Sequence, residues 1–191
     1  PKGDTVAEFL KDLKRTHNCG QLREEHVGQT IVLMGWVQSY RDHGGTIFID
    51  MRDRYGVTQV RFDASIDEAM AKEAERLRPE WTFGVQGTVV SRGDNANPNL
   101  PTGQIEVLAS KMKVFSRSET PPFQIQDNID TNENLRLTHR YLDLRRRPLQ
   151  EKLILRSKVN GITRNYLLEN GFLELETPIL TKSTPEGARD Y

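Results

Sequence analysis

One cysteine, Cys19, stands in the 191 residues. A lone thiol excludes an internal disulfide and a cysteine-built metal cluster, and it fits a reducing, cytoplasmic setting. No apolar run approaches the roughly 18 residues needed to cross a bilayer. The opening PKGDTVAEFLKDLKRT has no signal-peptide core, and its acids argue against a transit peptide. A surplus of charge is missing as well, because 27 Lys and Arg balance 27 Asp and Glu. A net charge of zero argues against a protein that coats nucleic acid indiscriminately, although local patches still set the field. The four histidines (His17, His26, His43, His139) lack metal-ligand spacing. There is no phosphate-cradling Gly loop, no Ser/His/Asp arrangement, no internal repeat and no low-complexity segment. What remains is a globular composition, 36% hydrophobic and 28% charged, with length for one domain and part of another.

The pattern along the chain changes character twice. Residues 1–14 suggest a helical extension, with Val6, Phe9, Leu10 and Leu13 on one face and a Thr5-x-x-Glu8 capping box. Residues 15–116 read as strands around one helix. Thr30–Tyr40 is β-rich, with Gly35 as the expected bend or bulge, and Thr46–Arg52 alternates with period two after the turn at His43-Gly44-Gly45. Val57–Asp63 follows a second tight turn. Ser65-x-x-Glu68 is the expected cap of a helix running to about Leu77. Trp81–Arg92 and Gln104–Phe115 make two more strands around the loop GDNANPNLPTG. Three strands, a helix and two strands is the order of a five-stranded OB-fold barrel, a mainly β architecture that binds oligonucleotides on one face. Residues 117–134 are polar with a Pro pair and read as a linker or hinge. Residues 135–191 belong to a second, helical part. A helix near Glu133–Tyr141 precedes one from about Pro148 to Glu169, striped by Leu155, Val159, Ile162 and Tyr166. The latter stops at Asn170-Gly171, before a short strand Phe172–Glu176 closed by Thr177-Pro178.

Reading single-stranded RNA takes aromatic platforms for bases, polar groups for their edges and cations for phosphates. Alternation puts Ile47 and Ile49 on one face of their strand and Thr46, Phe48 and Asp50 on the other. Phe48 among polar neighbours is either a base-stacking platform or a packed barrel residue. Gln59 is either an amide for a base edge or an exposed strand polar. From Leu135 to Arg156, seven cations (Arg136, Arg140, Arg145, Arg146, Arg147, Lys152, Arg156) face two acids (Asp143, Glu151). They form either a track for a phosphate backbone or a solvated helical surface.

Two stretches carry a family likeness. RTHNCGQLREEHVGQTIVLMGWVQSYRDHGGTIFIDMRDRYGVTQVRFD resembles, at nearly every position, the anticodon-binding domain of bacterial-type aspartyl-tRNA synthetases. RYLDLRRR, the helix after it and FLELETPILTKSTPEGARDY resemble the first signature motif of class II synthetases, with TKSTPEGARDY in the wording of the aspartyl enzymes. The resemblance implies an OB barrel, a hinge and the start of a class II catalytic domain, with the chain ending at Tyr191 in mid-loop ahead of most of the catalytic machinery. It further implies a parent enzyme, homodimeric and cytoplasmic, that activates L-aspartate with ATP and Mg²⁺ and charges tRNA-Asp. The 191 residues by themselves would bind tRNA without catalysing.

By the same resemblance, Phe48 stacks on the middle anticodon base, Gln59 contacts that base's edge, and Glu106 of TGQIEV reads an edge as a carboxylate facing guanine N–H groups. Arg41 and Arg92 match arginines near the anticodon, Arg92 only to within the variable length of the following loop, where Asn95, Asn97 and Asn99 stand. Ser39 and Tyr40 depart from arginines found in many relatives (GWVNRRRD), which puts some phosphate contacts in doubt. His43 matches a turn that often holds Leu in relatives reading only the aspartate anticodon, and His-Gly in those that also accept tRNA-Asn. It marks either relaxed specificity at the third anticodon base or a turn residue tolerant of left-handed geometry. Pro178 matches a dimer-interface proline. Glu186 matches a loop carboxylate that senses the amino acid's ammonium. The competing expectation is a free-standing OB-fold RNA-binding or regulatory paralogue without catalysis.

Overall fold

The computed structural model describes residues 13–180. The expected helix over 1–14 and the Glu186 loop therefore lie outside the described residues, apart from Leu13, which is buried, and Lys14, which is exposed. The chain divides into two compact units, 1–121 and 122–191.

The first unit is a closed barrel of five strands in the order β1-β2-β3-β5-β4. These are β1 Thr30–His43, β2 Thr46–Asp53, β3 Gly56–Asp63, β4 Thr82–Ser91 and β5 Ile105–Ser116. All pairings are antiparallel except β3 with β5. Along β2, burial alternates strictly, with Ile47, Ile49, Met51 and Asp53 inside. That is the expected face assignment, since side chains on a strand point to opposite sides in turn. Phe62, Phe83, Leu33, Ile31, Ile105, Val60 and Leu77 complete a fully buried core.

Gly35 is not the bulge. The register shifts between Val37 and Ser39 instead. Gly35 lies where strands touch: a Cβ there would meet the Arg52 carbonyl oxygen at 2.4 Å. The segment before β4 secures the bulge, for Glu80 N–H donates to the Val37 carbonyl at 2.8 Å and Val37 N–H to the Trp81 carbonyl at 2.9 Å. Glu80 itself has φ 66°, a left-handed conformation that costs a non-glycine residue about 1–2 kcal/mol. Its carboxylate takes Arg52 Nη2 at 2.8 and 2.9 Å, which holds that geometry in place.

Between β3 and β4 lies α1, Glu68–Ala74. Its cap is Asp67, whose side chain accepts from Met70 N–H, and not Ser65. Ser65 donates its hydroxyl and its N–H to Asp63 Oδ1, and these bonds hold the Asp63 carboxyl below the usual carboxylate range.

In the second unit, α2 (Glu133–Thr138) and α3 (Arg140–Asp143) replace the single helix expected there. His139 leaves the helical region at φ −108°, ψ 47°. The break lets Arg136 and Arg140, one from each side, reach the same carboxylate, Asp143. Phe123, Ile125 and Leu142 form a small buried cluster. Helix α4 (Arg147–Glu169) begins with Pro148 in its first turn and ends at Asn170, with Gly171 at φ 84° as the left-handed stop. None of its side chains is buried among the described residues, and Leu155, Val159, Ile162 and Tyr166 are all more than half exposed. The expected strand Phe172–Glu176 does not form: its residues are exposed and join no ladder. A strand takes its hydrogen bonds from a neighbour, and the five described strands all belong to the barrel. No described helix is long and apolar enough to cross a membrane.

Candidate nucleic-acid interface

The outer face of β1, β2, β3 and β5 carries a continuous polar network. Register dictates it. Ser39 lies opposite Asp50, Asp50 opposite Gln59, Arg41 opposite Phe48, and Phe48 opposite Arg61. Ser39 donates its hydroxyl to Asp50 Oδ2. Arg41 Nη2 donates to Asp50 Oδ1 at 2.9 Å and to Gln59 Oε1 at 3.1 Å. Gln59 Nε2 donates to Glu106 Oε2 at 2.7 Å, and Arg61 Nη1 lies 3.2 Å from Glu106 Oε1. Burying a carboxylate such as Glu106, 5% exposed, is costly unless it is paired and hydrogen-bonded, and here one oxygen accepts from Gln59 while the other is ion-paired to Arg61. Phe48, half-buried, lies among these polar groups, with Arg41 and Arg61 as its cross-strand neighbours.

Gln59 is only 6% exposed, so it is not the exposed strand polar that its sequence context allowed. His43 is not a left-handed turn residue either. It ends β1, paired with Thr46, while Gly44 (φ 62°) and Gly45 (φ 94°) supply the positive φ that a two-residue hairpin turn requires. Its exposed ring meets Phe48 edge-on, centroids 5.7 Å apart. Tyr40 packs against the barrel core, and burial, ahead of Asp42 and Glu75, pushes its phenol upward, so it stays neutral.

Arg92 directly follows β4. Its N–H donates to the Gln104 carbonyl, and its Nε is buried without a partner. The following loop is organised by its own bonds: Asn97 N–H donates to the Gly103 carbonyl, and Asn97 Oδ1 accepts from Asn99 N–H at 3.0 Å. Asn95 and Asn99 are exposed, and Asn97 is half-buried.

Sequence reasoning passed over Arg61 and the link through Asp50. Period two was the available signal, because Arg61 follows Gln59 by two residues and must share its face.

The basic track in the second unit is partly spent internally. Asp143 is fully buried, and Arg140 Nη1, Arg146 Nη1 and Arg136 Nη1 lie 2.8, 2.8 and 3.7 Å from its oxygens. Arg146 also donates to the carbonyls of Gln126 and Asp127. Arg147 pairs with Glu151 at 2.8 Å, and that bond raises the guanidinium further above its already high range. Pro178 is exposed, in a stretch without regular secondary structure. Among the described residues, no three His, Cys, Asp or Glu side chains gather as a metal site.

Comparison with known proteins places this geometry. Residues 31–115 match a family model described as an OB-fold nucleic acid binding domain, and residues 132–191 match class II tRNA synthetases of the D, K and N type. An aspartate–tRNA(Asp/Asn) ligase of Anaeromyxobacter dehalogenans is 56% identical over 97% of this chain. The ligase of the same description from Geotalea uraniireducens is 57% identical, again over 97%. The chain spans about a third of these relatives' length, 31% and 32%. The aspartyl-tRNA synthetase of Entamoeba histolytica superposes with TM-score 0.81 at 20% identity, covering 97% of this chain and 44% of that one, a likeness of fold. More than half of its residues are shared with these ligases over nearly its whole length, and the two matched family models fall one on each compact unit, so the chain is similar throughout to about a third of the length of aspartate–tRNA(Asp/Asn) ligases.

Proposed function

We propose that this chain is the tRNA-reading part of an aspartate–tRNA ligase, with the anticodon read on the outer face of β1, β2, β3 and β5. The observation that supports this best is the four-strand network around Phe48, which sets a π-face beside cations and buried, oriented acceptors. Phe48 stacks the middle base, Gln59 and Glu106 meet base edges, and Arg41, Arg92 and the exposed loop asparagines lie along the phosphates. His43, edge-on to Phe48 at the hairpin end, faces the third anticodon base and admits both tRNA-Asp and tRNA-Asn. The relatives' printed names, which pair Asp with Asn, support that reading. Ser39 is committed to Asp50 and Tyr40 to the core, so fewer phosphate contacts come from β1 than in relatives with arginines there.

The class II family implies ATP and Mg²⁺. Among the described residues, no three His, Cys, Asp or Glu side chains gather to hold the metal. ATP chemistry, with homodimer formation through the Pro178 segment and amino-acid sensing by Glu186, is assigned to the whole protein. In this proposal the domain plan is an extension at 1–14, the barrel at 15–116, a hinge at 117–134 and the catalytic start at 135–191. The 191 residues bind tRNA without catalysing, in the cytoplasm. A free-standing RNA-binding paralogue is disfavoured by the synthetase match over residues 132–191.

The test is titration of the chain, at one fixed salt concentration, with aspartate, asparagine and unrelated anticodon stem-loops. The two cognate loops should bind at least about tenfold more tightly than the third. Phe48→Ala should cost roughly 1–3 kcal/mol, the worth of one stacked base. Equal binding of all three loops would overturn the proposal.

A further inference from the structure

We propose that Arg61 is a positioning residue for anticodon reading, fixing the plane of the Glu106 carboxylate so that it meets a base edge presenting two parallel N–H donors. The inference rests on the anticodon reading above and deepens it.

A carboxylate has about four acceptor sites on two oxygens. Gln59 occupies one site on Oε2 at 2.7 Å, and the Arg61 guanidinium is ion-paired to Oε1, its Nη1 3.2 Å away. One oxygen held alone would leave the carboxylate free to turn about its last single bond. Held at both, it keeps one plane and still offers an open site on each oxygen. Guanine presents N1–H and the exocyclic amine side by side, a pair of donors that matches such a carboxylate. Both the aspartate and the asparagine anticodons carry a guanine at the first position.

Arg61 is also placed at a cost. Its Nε is buried with no acceptor, although the side chain is about one third exposed (31%). A guanidinium swung into solvent would give that N–H to water, whereas an unmade buried bond is unfavourable. Opposite Arg61 in the β2–β3 ladder stands Phe48, and opposite it in the β3–β5 pair stands Leu108. A base stacked on Phe48 therefore lies next to the guanidinium that orients Glu106.

Two variants test this with aspartate stem-loops carrying either guanine or inosine at the first anticodon position. Inosine keeps N1–H and lacks the amine. The unaltered chain should prefer guanine about tenfold, the effect of one hydrogen bond to a charged group. Arg61→Met keeps the aliphatic stem beside Leu108 and removes the fork. Its guanine preference should fall to below about threefold, with the thermal midpoint checking that the barrel persists. Arg61→Lys keeps the charge and tests the fork alone, because an ammonium is a point donor that does not impose a plane. A guanine-to-inosine ratio lowered at least about threefold in Arg61→Lys supports the inference. If either variant weakens both loops equally and keeps the full ratio, Arg61 is only a cation for phosphates and the inference is overturned. If the unaltered chain does not distinguish guanine from inosine, the Glu106 reading falls as well.

Discussion

Gln59 Nε2 and Glu106 Oε2 stand 2.7 Å apart, a hydrogen bond across 47 residues of sequence that joins β3 to β5 beneath the candidate RNA face. The pair is buried, and its partners continue to Arg41 on one side and Arg61 on the other. Gln59→Leu should leave Glu106 short of a donor and destabilise the barrel by about 1–3 kcal/mol in urea unfolding. Glu106→Gln keeps the shape without the charge, and should reduce binding of the cognate loops far more than it reduces stability. An unfolding midpoint unchanged by Gln59→Leu would show that the bond contributes little.

His43 ends β1 within ring contact of Phe48. If it relaxes reading at the third anticodon base, the unaltered chain binds the aspartate and asparagine loops within a few-fold of each other. His43→Leu should then shift the ratio about tenfold toward aspartate, a change of about 1.4 kcal/mol. A hundredfold aspartate preference in the unaltered chain, about 2.7 kcal/mol on the same scale, sinks the idea.

Asp143 faces three guanidinium groups, and it is fully buried. Asp143→Asn removes the charge and leaves Arg146, 9% exposed, in place. Breaking a buried pair on one side typically costs about 3–5 kcal/mol. Amide exchange over 122–146 should accelerate sharply while the barrel amides keep their protection. Unchanged exchange there would mean that the carbonyls of Gln126 and Asp127 hold Arg146 without Asp143.

Cys19 is fully buried, and burial followed by the Asp53 carboxylate pushes its thiol well above its ordinary range. The thiolate is the reactive form. Iodoacetamide at about pH 8.5, the pKa of a free thiol, should leave Cys19 unmodified in the folded chain and label it fully in urea. Rapid labelling under native conditions would show that the segment before β1 opens readily.

Much of the barrel was legible because its signals are local. The alternation of TIFIDMR set Phe48 and Asp50 apart from Ile47 and Ile49, and the burial along β2 follows it residue by residue. The Gly44-Gly45 turn was legible for the same reason. What misled was also local. Ser65-x-x-Glu68 has the letters of a capping box, but Ser65 turns back to Asp63 and Asp67 caps the helix. Gly35 looked like a bulge because a strand glycine so often is one. Its real constraint is the Arg52 carbonyl, 17 residues away in sequence and adjacent only once β1 and β2 pair.

The sequence alone therefore determined the order of the barrel strands, the face each side chain of β2 takes, and, through its family wording, the expectation that the chain reads tRNA. Those follow from backbone stereochemistry and from short motifs. Tertiary structure alone decided that Gln59 and Arg61 grip one carboxylate, that His43 touches Phe48, and that Asp143 gathers the arginines. Each of these depends on which elements become neighbours. The parallel meeting of β3 with β5 brings Gln59 to Glu106 across 47 residues, and no local propensity specifies a contact closed over that length of chain.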